Sequence, residues 1–361
     1  MRICFIGPAT SAHIIKWTKW FSDHGNEVHI VSFDDGDISG AKVHSLSTGL
    51  KGNESDLAKI KYLFQGKRIK QIVENIKPDI INVHYASSYG TAVALSGLKD
   101  YILSVWGSDV YDFPNKSPFH KAMLKYSLSK AKYLFSTSQA MADETHKYTN
   151  KVIEITPFGV DVDLFNPNKR HREHFVEDFV VGTVKTLKPK YGIDYLLKAV
   201  AIVKEQEPEI PITVRIAGSG PNETEYIQLA EKLKVDVEWL GFISQDRAAE
   251  EWANMDVAIV PSTLDSESFG VSAVEAESSG VPVIVSDVPG LMEATNPGVT
   301  SIVVPRKNEE ELAKAIIRLY KDPELRVRMG AEGRKLVLER YSIDGCFNNV
   351  NSIYSRIGGG Y

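Results

Sequence analysis

The chain has 361 residues, 43% of them hydrophobic and 25% charged, and a formal net charge of −5. This composition is ordinary for soluble globular proteins and allows more than one sizeable core; it excludes disordered, collagen-like and coiled-coil chains. So mild a charge gives no ground for a nucleic-acid partner. The charge is unevenly placed, however: residues 1–170 carry 21 Lys and Arg against 17 Asp and Glu, a balance of +4, and residues 171–361 carry 21 against 30, a balance of −9. Only Cys4 and Cys346 are cysteines, too few for a disulfide framework or a zinc site, which fits a reducing, cytoplasmic setting. No run of about 18 apolar residues appears, and the one after Met1 is shorter than an export signal's core, so neither a membrane span nor export is expected.

Short apolar, β-branched runs recur along the chain at residues 3–6, 28–32, 80–84, 101–105 and 133–137, each followed by a helix-like stretch. The habit repeats at 179–184, 212–217, 237–239, 257–260 and 283–285. Runs without alternation suit parallel strands buried on both faces, and their alternation with helices predicts two doubly wound α/β domains. A polar, charged stretch at 166–174 is the expected linker. Beyond residue 308 the pattern turns helical, with one helix over 309–322 and, after Pro323, another over 325–341.

In such sheets, ligands bind beyond the carboxyl ends of the strands. The first such loop, residues 7–13, lacks Gly-x-Gly-x-x-Gly and leads into a helix bearing Trp17 and Trp20, which weakens a dinucleotide-enzyme reading. The most informative stretch is 261–276, where Glu267 and Glu275 lie in the mouth and second turn of a helix expected to start near Phe269. The backbone N–H groups of Ser268, Phe269, Gly270 and Val271 at that helix start suit a diphosphate, although Ser, Asp and Glu are also ordinary caps.

With Gly280-Val281-Pro282 after it, this stretch resembles the Glu-x7-Glu signature of the retaining glycosyltransferases of family 4, which have the GT-B fold. Further matches run in family order: Trp106-Gly107-Ser108-Asp109, Pro157-Phe158-Gly159-Val160-Asp161, Ala217-Gly218-Ser219-Gly220 and Leu240-Gly241. The resemblance implies two Rossmann-like domains facing across a cleft: 1–165, joined by a C-terminal helix at about 342–361, for the acceptor, and 175–341 for the nucleotide-sugar. It implies that Glu267 holds hydroxyls of the donor sugar, that Ser268–Val271 meets the diphosphate, that Glu275 takes the ribose hydroxyls, and that Gly7 and Gly218 line the donor side. The nucleobase is expected near Leu240-Gly241-Phe242-Ile243.

Two departures from the family pattern matter. The family usually places an Arg and a Lys where this chain has Thr186 and Tyr191; Lys185 and Lys190 stand one residue earlier and are the expected partners of the diphosphate. Where a His often precedes Gly-x-Asp, this chain has Trp106. Asp109 is then the remaining catalytic candidate beside Glu267, with His13, His84 and Trp106 as acceptor-side candidates, each also readable as a structural residue. Transfer in this family is described as front-face departure and attack, the leaving phosphate taking the acceptor's proton, so a side-chain base is not obligatory.

The clusters Asp34-Asp35-Gly36-Asp37 and Asp161-Val162-Asp163 imitate metal sites but read as turns, so no metal or other cofactor is expected. Lys59, Lys61, Lys67, Arg68, Lys70 and Lys77 face Glu74 alone and interleave with Leu63, Phe64, Ile69, Ile72 and Val73, a pattern that fits either an anionic membrane surface or a solvated helix face. The resulting expectation is a cytoplasmic, metal-independent hexosyl- or N-acetylhexosaminyltransferase, peripheral on the inner membrane face as an option. It would move a sugar, UDP-linked by preference, to a glycan or lipid-linked acceptor. A nucleotide-sugar epimerase and a non-catalytic nucleotide-sugar or glycan binder are the alternatives.

Overall fold

The computed structural model describes residues 1–47, 61–171 and 178–358. The chain divides into two compact units, Met1–Phe158 with Phe347–Tyr361, and Gly159–Cys346.

The first unit runs β1 (Arg2–Ile6), α1 (Ala12–Asp23), β2 (Glu27–Ser32), β3 (Ala41–Ser45), α2 (Gly66–Ile76), β4 (Ile80–His84), α3 (Tyr89–Ser96), β5 (Ile102–Val105), α4 (Ser108–Tyr111), α5 (Pro118–Lys130), β6 (Tyr133–Ser136), α6 (Gln139–His146) and β7 (Ile153–Ile155). Its seven strands are ordered β3-β2-β1-β4-β5-β6-β7 and are parallel throughout. The apolar runs of β1, β4 and β5 are covered on both faces, which is why they read as unbroken hydrophobic sequence. Phe347 and Tyr354 complete this core: Phe347 meets Trp17 at 5.1 Å and Trp20 at 5.6 Å, Tyr354 stacks on Phe21 at 5.4 Å, and the Asn82 side chain donates to the Tyr354 hydroxyl at 2.6 Å. Burying an aromatic or aliphatic side chain of this size contributes roughly 1.5–3 kcal/mol.

The second unit runs β8 (Phe179–Val184), α7 (Ile193–Gln206), β9 (Ile212–Ala217), α8 (Glu223–Leu233), β10 (Val237–Gly241), α9 (Gln245–Ala253), β11 (Val257–Val260), α10 (Val271–Ser278), β12 (Val283–Ser286), α11 (Pro289–Ala294), β13 (Ser301–Val304), α12 (Glu309–Lys321) and α13 (Pro323–Arg340); α14 (Ile343–Gly358) then carries the chain back into the first unit. Six parallel strands are ordered β10-β9-β8-β11-β12-β13.

Both sheets reverse their winding beside the first strand of the unit, between β1 and β4 and between β8 and β11. Such switch points open a crevice at the carboxyl ends of the strands. They place the loops after β1 and β4, and those after β8 and β11, where a ligand can enter.

The polar stretch 166–174 is not the crossing between units. The chain enters the second unit at Gly159, where Val160 exchanges backbone hydrogen bonds with Tyr341 and Ile343 at 2.7 and 2.9 Å. Gly159 has φ +66°, and a Cβ there would press on Ile343. Arg170 is then tied down by Asp256 at 2.7 Å and by the carbonyls of Ala253 and Met255. Its charges serve this anchor, and residues 172–177 lie outside the described residues.

Candidate active site

The second unit gathers most of the expected donor residues. Lys185 leaves β8 and Glu267 lies in the loop between β11 and α10; the Lys185 Nζ meets Glu267 Oε1 at 2.9 Å, with both side chains nearly buried. Burial alone would lower the Lys185 pKa, but Glu267 and the more distant Tyr191 and Glu275 outweigh it and hold the amine above its ordinary value. The same Nζ lies 3.5 Å from Ser272 Oγ, which itself donates to the Val184 carbonyl at 3.0 Å. Lys185 and Lys190 both place their ammonium groups over the Tyr191 ring, 4.6 and 4.8 Å from its centre. Two cations thus converge one residue from the positions where the family pattern has its own.

The helix α10 begins where it can meet an anion. Its first hydrogen bonds run from Ala273 and Val274 to the Gly270 carbonyl, which puts the positive end of the helix dipole at Gly270 and Val271. The expected start near Phe269 falls two residues early, because Gly270 adopts φ +75° and caps the helix. Ser268, Phe269 and Gly270 are buried, Val271 partly so. Glu275 lies buried on the second turn and accepts a hydrogen bond from Trp252 Nε1 at 3.4 Å. Gly218, at the end of β9, has φ +128°, and a Cβ there would collide with the Lys185 carbonyl oxygen. A side chain at that position would therefore displace the Lys185 loop.

In the first unit the acceptor-side candidates form one aromatic cluster. His13 stacks on Phe158 at 3.9 Å and meets Trp106 edge-on at 5.5 Å; His84 lies 5.1 Å from both Trp17 and Trp106. Gly7 packs against Ile14 and His84. His84 is wholly buried, and that burial, with His13 nearby, lowers its pKa to about 3. It is a neutral residue of the core.

Asp109 is likewise turned inward. It is wholly buried, and its oxygens accept the backbone N–H groups of Ala86 at 2.7 Å, Gly107 at 2.9 Å and Trp106 at 3.1 Å. Burial raises its pKa, and the three donors oppose that shift. The carboxylate organises the loops after β4 and β5. Asp109→Ala would leave those N–H groups without an acceptor and should lower stability by about 3 kcal/mol, read by denaturant unfolding.

The basic stretch also reads differently in three dimensions. Ile69 and Val73 of α2 are buried in the core and face no surface, Leu63 and Ile72 are partly buried, and Lys61, Lys67, Arg68, Lys77 and Phe64 are exposed. Lys59 lies outside the described residues. Asp35 accepts from the Ser45 and Ser47 hydroxyls, and Asp161 from the backbone N–H groups of Asp163 and Leu164. Among the described residues no three His, Cys, Asp or Glu side chains gather as metal ligands, and no helix is long and apolar enough to cross a membrane.

A sequence model described as "Glycosyl transferases group 1" matches residues 165–336, and one described as "Glycosyl transferase 4-like" matches residues 2–138. The chain belongs to the family-4 glycosyltransferases. Among similar curated proteins of this family, a D-inositol 3-phosphate glycosyltransferase of Corynebacterium glutamicum (strain R) is 34% identical over 214 residues, 55% of this chain and 50% of its own. The chain therefore spans about half the length of that relative. An uncharacterized glycosyltransferase of Methanocaldococcus jannaschii is 25% identical over 98% of this chain and 95% of its own. Among solved structures, sucrose-phosphate synthase of Thermosynechococcus elongatus superposes with a TM-score of 0.84 at 19% identity over all of both chains. Anabaena HepE in complex with UDP gives 0.78 at 18% identity, covering 99% of this chain and 100% of HepE. At these identities the likeness is one of fold: GT-B, with two Rossmann-like domains.

Four residues that contact the candidate site were not singled out from sequence. Tyr191 and Ser272 contact Lys185, Trp252 contacts Glu275, and Arg306 ties Asp265 at 2.6 Å to Asp287 at 3.1 Å, bracing the Glu267 loop. Only the displaced lysines hinted at Tyr191; the other four contacts join residues 19 to 87 apart in sequence and leave no local pattern.

Proposed function

We propose that this chain is a retaining glycosyltransferase that moves a hexosyl or N-acetylhexosaminyl group from a nucleotide-sugar, UDP-linked by preference, to a glycan or lipid-linked acceptor. The observation that carries the reading is the buried Lys185–Glu267 pair at the mouth of α10, with Lys190 beside it on Tyr191. Breaking the sugar–phosphate bond leaves negative charge on a diphosphate, and fixed ammonium and N–H donors stabilise that charge as it develops. Glu267 accepts hydrogen bonds from the sugar hydroxyls, Glu275 from the ribose, held by Trp252. Lys185, Lys190 and the helix start neutralise the diphosphate, so the reaction runs without a metal. Solved structures of HepE with UDP and with UDP-glucose support the choice of nucleotide. The setting is cytoplasmic, in cell-surface polysaccharide or glycolipid synthesis.

Lys190→Ala should weaken UDP binding by roughly 1.5–3 kcal/mol, the range for a charged hydrogen bond, measured by titration calorimetry. Transfer should persist in excess EDTA, and the product should keep the donor's anomeric configuration. Conversion of the donor without an acceptor would instead identify an epimerase, and UDP-sugar binding without turnover across an acceptor panel a binding protein.

A further inference from the structure

The turn after β8 is built to hold one ring in a fixed place. Residues Pro189–Tyr191 form a single tight turn, closed by hydrogen bonds from the Tyr191 N–H to the Lys188 carbonyl at 3.0 Å and from the Gly192 N–H to the Pro189 carbonyl at 3.1 Å. Gly192 then takes φ +68°, and a Cβ there would strike the Pro261 carbonyl oxygen. The Thr263 N–H donates to the Lys190 carbonyl at 2.8 Å. The turn is thus stitched to the loop after β11, the loop that also carries Glu267, and Tyr191 stands half-buried between them.

The two ammonium groups over this ring are not equivalent. Lys185 Nζ already meets Glu267 Oε1 at 2.9 Å and lies 3.5 Å from Ser272 Oγ. Lys190 Nζ lies 4.8 Å from the centre of the Tyr191 ring, and among the described residues it pairs with no carboxylate. A ring face attracts a cation through its negative quadrupole, whereas a carboxylate would neutralise the cation and occupy its N–H groups. Tyr191 therefore restrains Lys190 while leaving its charge and its donors open to a ligand. Lys185, 4.6 Å from the same ring centre, brings a second cation to that spot. Two cations gathered on one ring suit a ligand with two adjoining anionic groups better than a ligand with one.

We propose that Tyr191 is a positioning residue, whose ring face gathers the Lys185 and Lys190 ammonium groups and so makes the site select a nucleoside diphosphate over a nucleoside monophosphate. The assignment rests on the donor reading given above and adds to it the residue that sets its cations.

In the full chain, Tyr191 is replaced by phenylalanine, by phenylalanines whose rings carry one, two and three fluorines, and by leucine. Fluorine drains the negative face of the ring and nearly keeps its shape, so packing is held while the cation's attraction falls. Binding of UDP and of UMP is measured by titration calorimetry. UDP affinity should fall stepwise along the fluorine series and reach a loss of about tenfold in Tyr191→Leu relative to Tyr191→Phe, while UMP affinity stays within about twofold. A loss in Tyr191→Leu without a trend along the fluorine series would make Tyr191 a packing residue and overturn the proposal, as would equal losses for UDP and UMP. A second readout needs no ligand. In chains with carbon-13-labelled lysine, the ring current should move the methylene signals beside the Lys185 and Lys190 nitrogens upfield in the native chain and in Tyr191→Phe, and not in Tyr191→Leu. Absence of those shifts from the native chain overturns the proposal. Shifts without UDP binding would keep the hold of Tyr191 on both lysines and overturn the donor reading; UDP binding without a fluorine trend would do the opposite.

Discussion

Glu267→Gln should reduce kcat by roughly 100- to 1,000-fold, the scale expected when one preorganised polar contact to the transition state is lost. The substitution keeps the size of the side chain and removes its charge. It also leaves the Lys185 ammonium without its partner in a nearly buried setting, and breaking such a pair from one side costs about 3 kcal/mol or more of stability. The two effects separate in Lys185→Met/Glu267→Gln, where no unpaired charge remains. That double variant should recover most of the stability lost by Glu267→Gln and none of the turnover, because neither the sugar hydroxyls nor the diphosphate regains its partner. Denaturant unfolding and single-turnover rates on the three chains check this. Full turnover in Glu267→Gln would remove Glu267 from the site.

Much of this arrangement was legible before any coordinate, and the exceptions share physical causes. Strands β1, β4, β5, β8 and β11 announce themselves because both their faces are covered, so nothing interrupts the apolar run. Edge strands β3 and β13 have partly exposed residues, and β7 has three residues, none fully buried; with less surface to cover they carry no such run. The Glu-x7-Glu spacing put Glu267 at the mouth and Glu275 on the second turn of α10 because helix geometry converts spacing into position. It could not show that Asp109 turns inward, since a carboxylate three residues after Trp106 serves its own loop as readily as a ligand. Charge misled at 166–174 in the same way: Arg170 looks solvated in sequence because its partner Asp256 is 86 residues away.

Glu277 leaves no mark in the sequence beyond its proximity to Glu275, yet it should govern how the second unit responds to alkali. It is wholly buried on α10, the α13 residue Gly333 lies against its stem, and among the described residues neither carboxylate oxygen meets a donor in hydrogen-bond geometry. Burial pushes its pKa up to about 8, against a weaker opposing pull from Thr300. The unfolded chain releases this proton near the ordinary value of 4.5, so between 4.5 and 8 the native state holds a proton that the unfolded state has lost. Stability of the second unit should therefore fall as pH rises through that window, by about 1.4 kcal/mol per unit and about 4–5 kcal/mol in all, and level off above it. Tyr341 nearby titrates outside this range, pushed up to about 12 by burial. His84 acts in the opposite sense on the first unit: its pKa of about 3 against an ordinary 6.5 means that stability there is lost as pH falls below 6.5. Acid and alkali should thus weaken different units. Glu277→Met, which keeps the volume and removes the ionisable group, should gain on the native chain by about 4 kcal/mol between pH 5 and pH 8.5 in the transition of the second unit, followed by denaturant unfolding at pH 5, 6.5 and 8.5. A gain that does not change with pH would mean that Glu277 finds a partner for its charge and that packing alone separates the two chains.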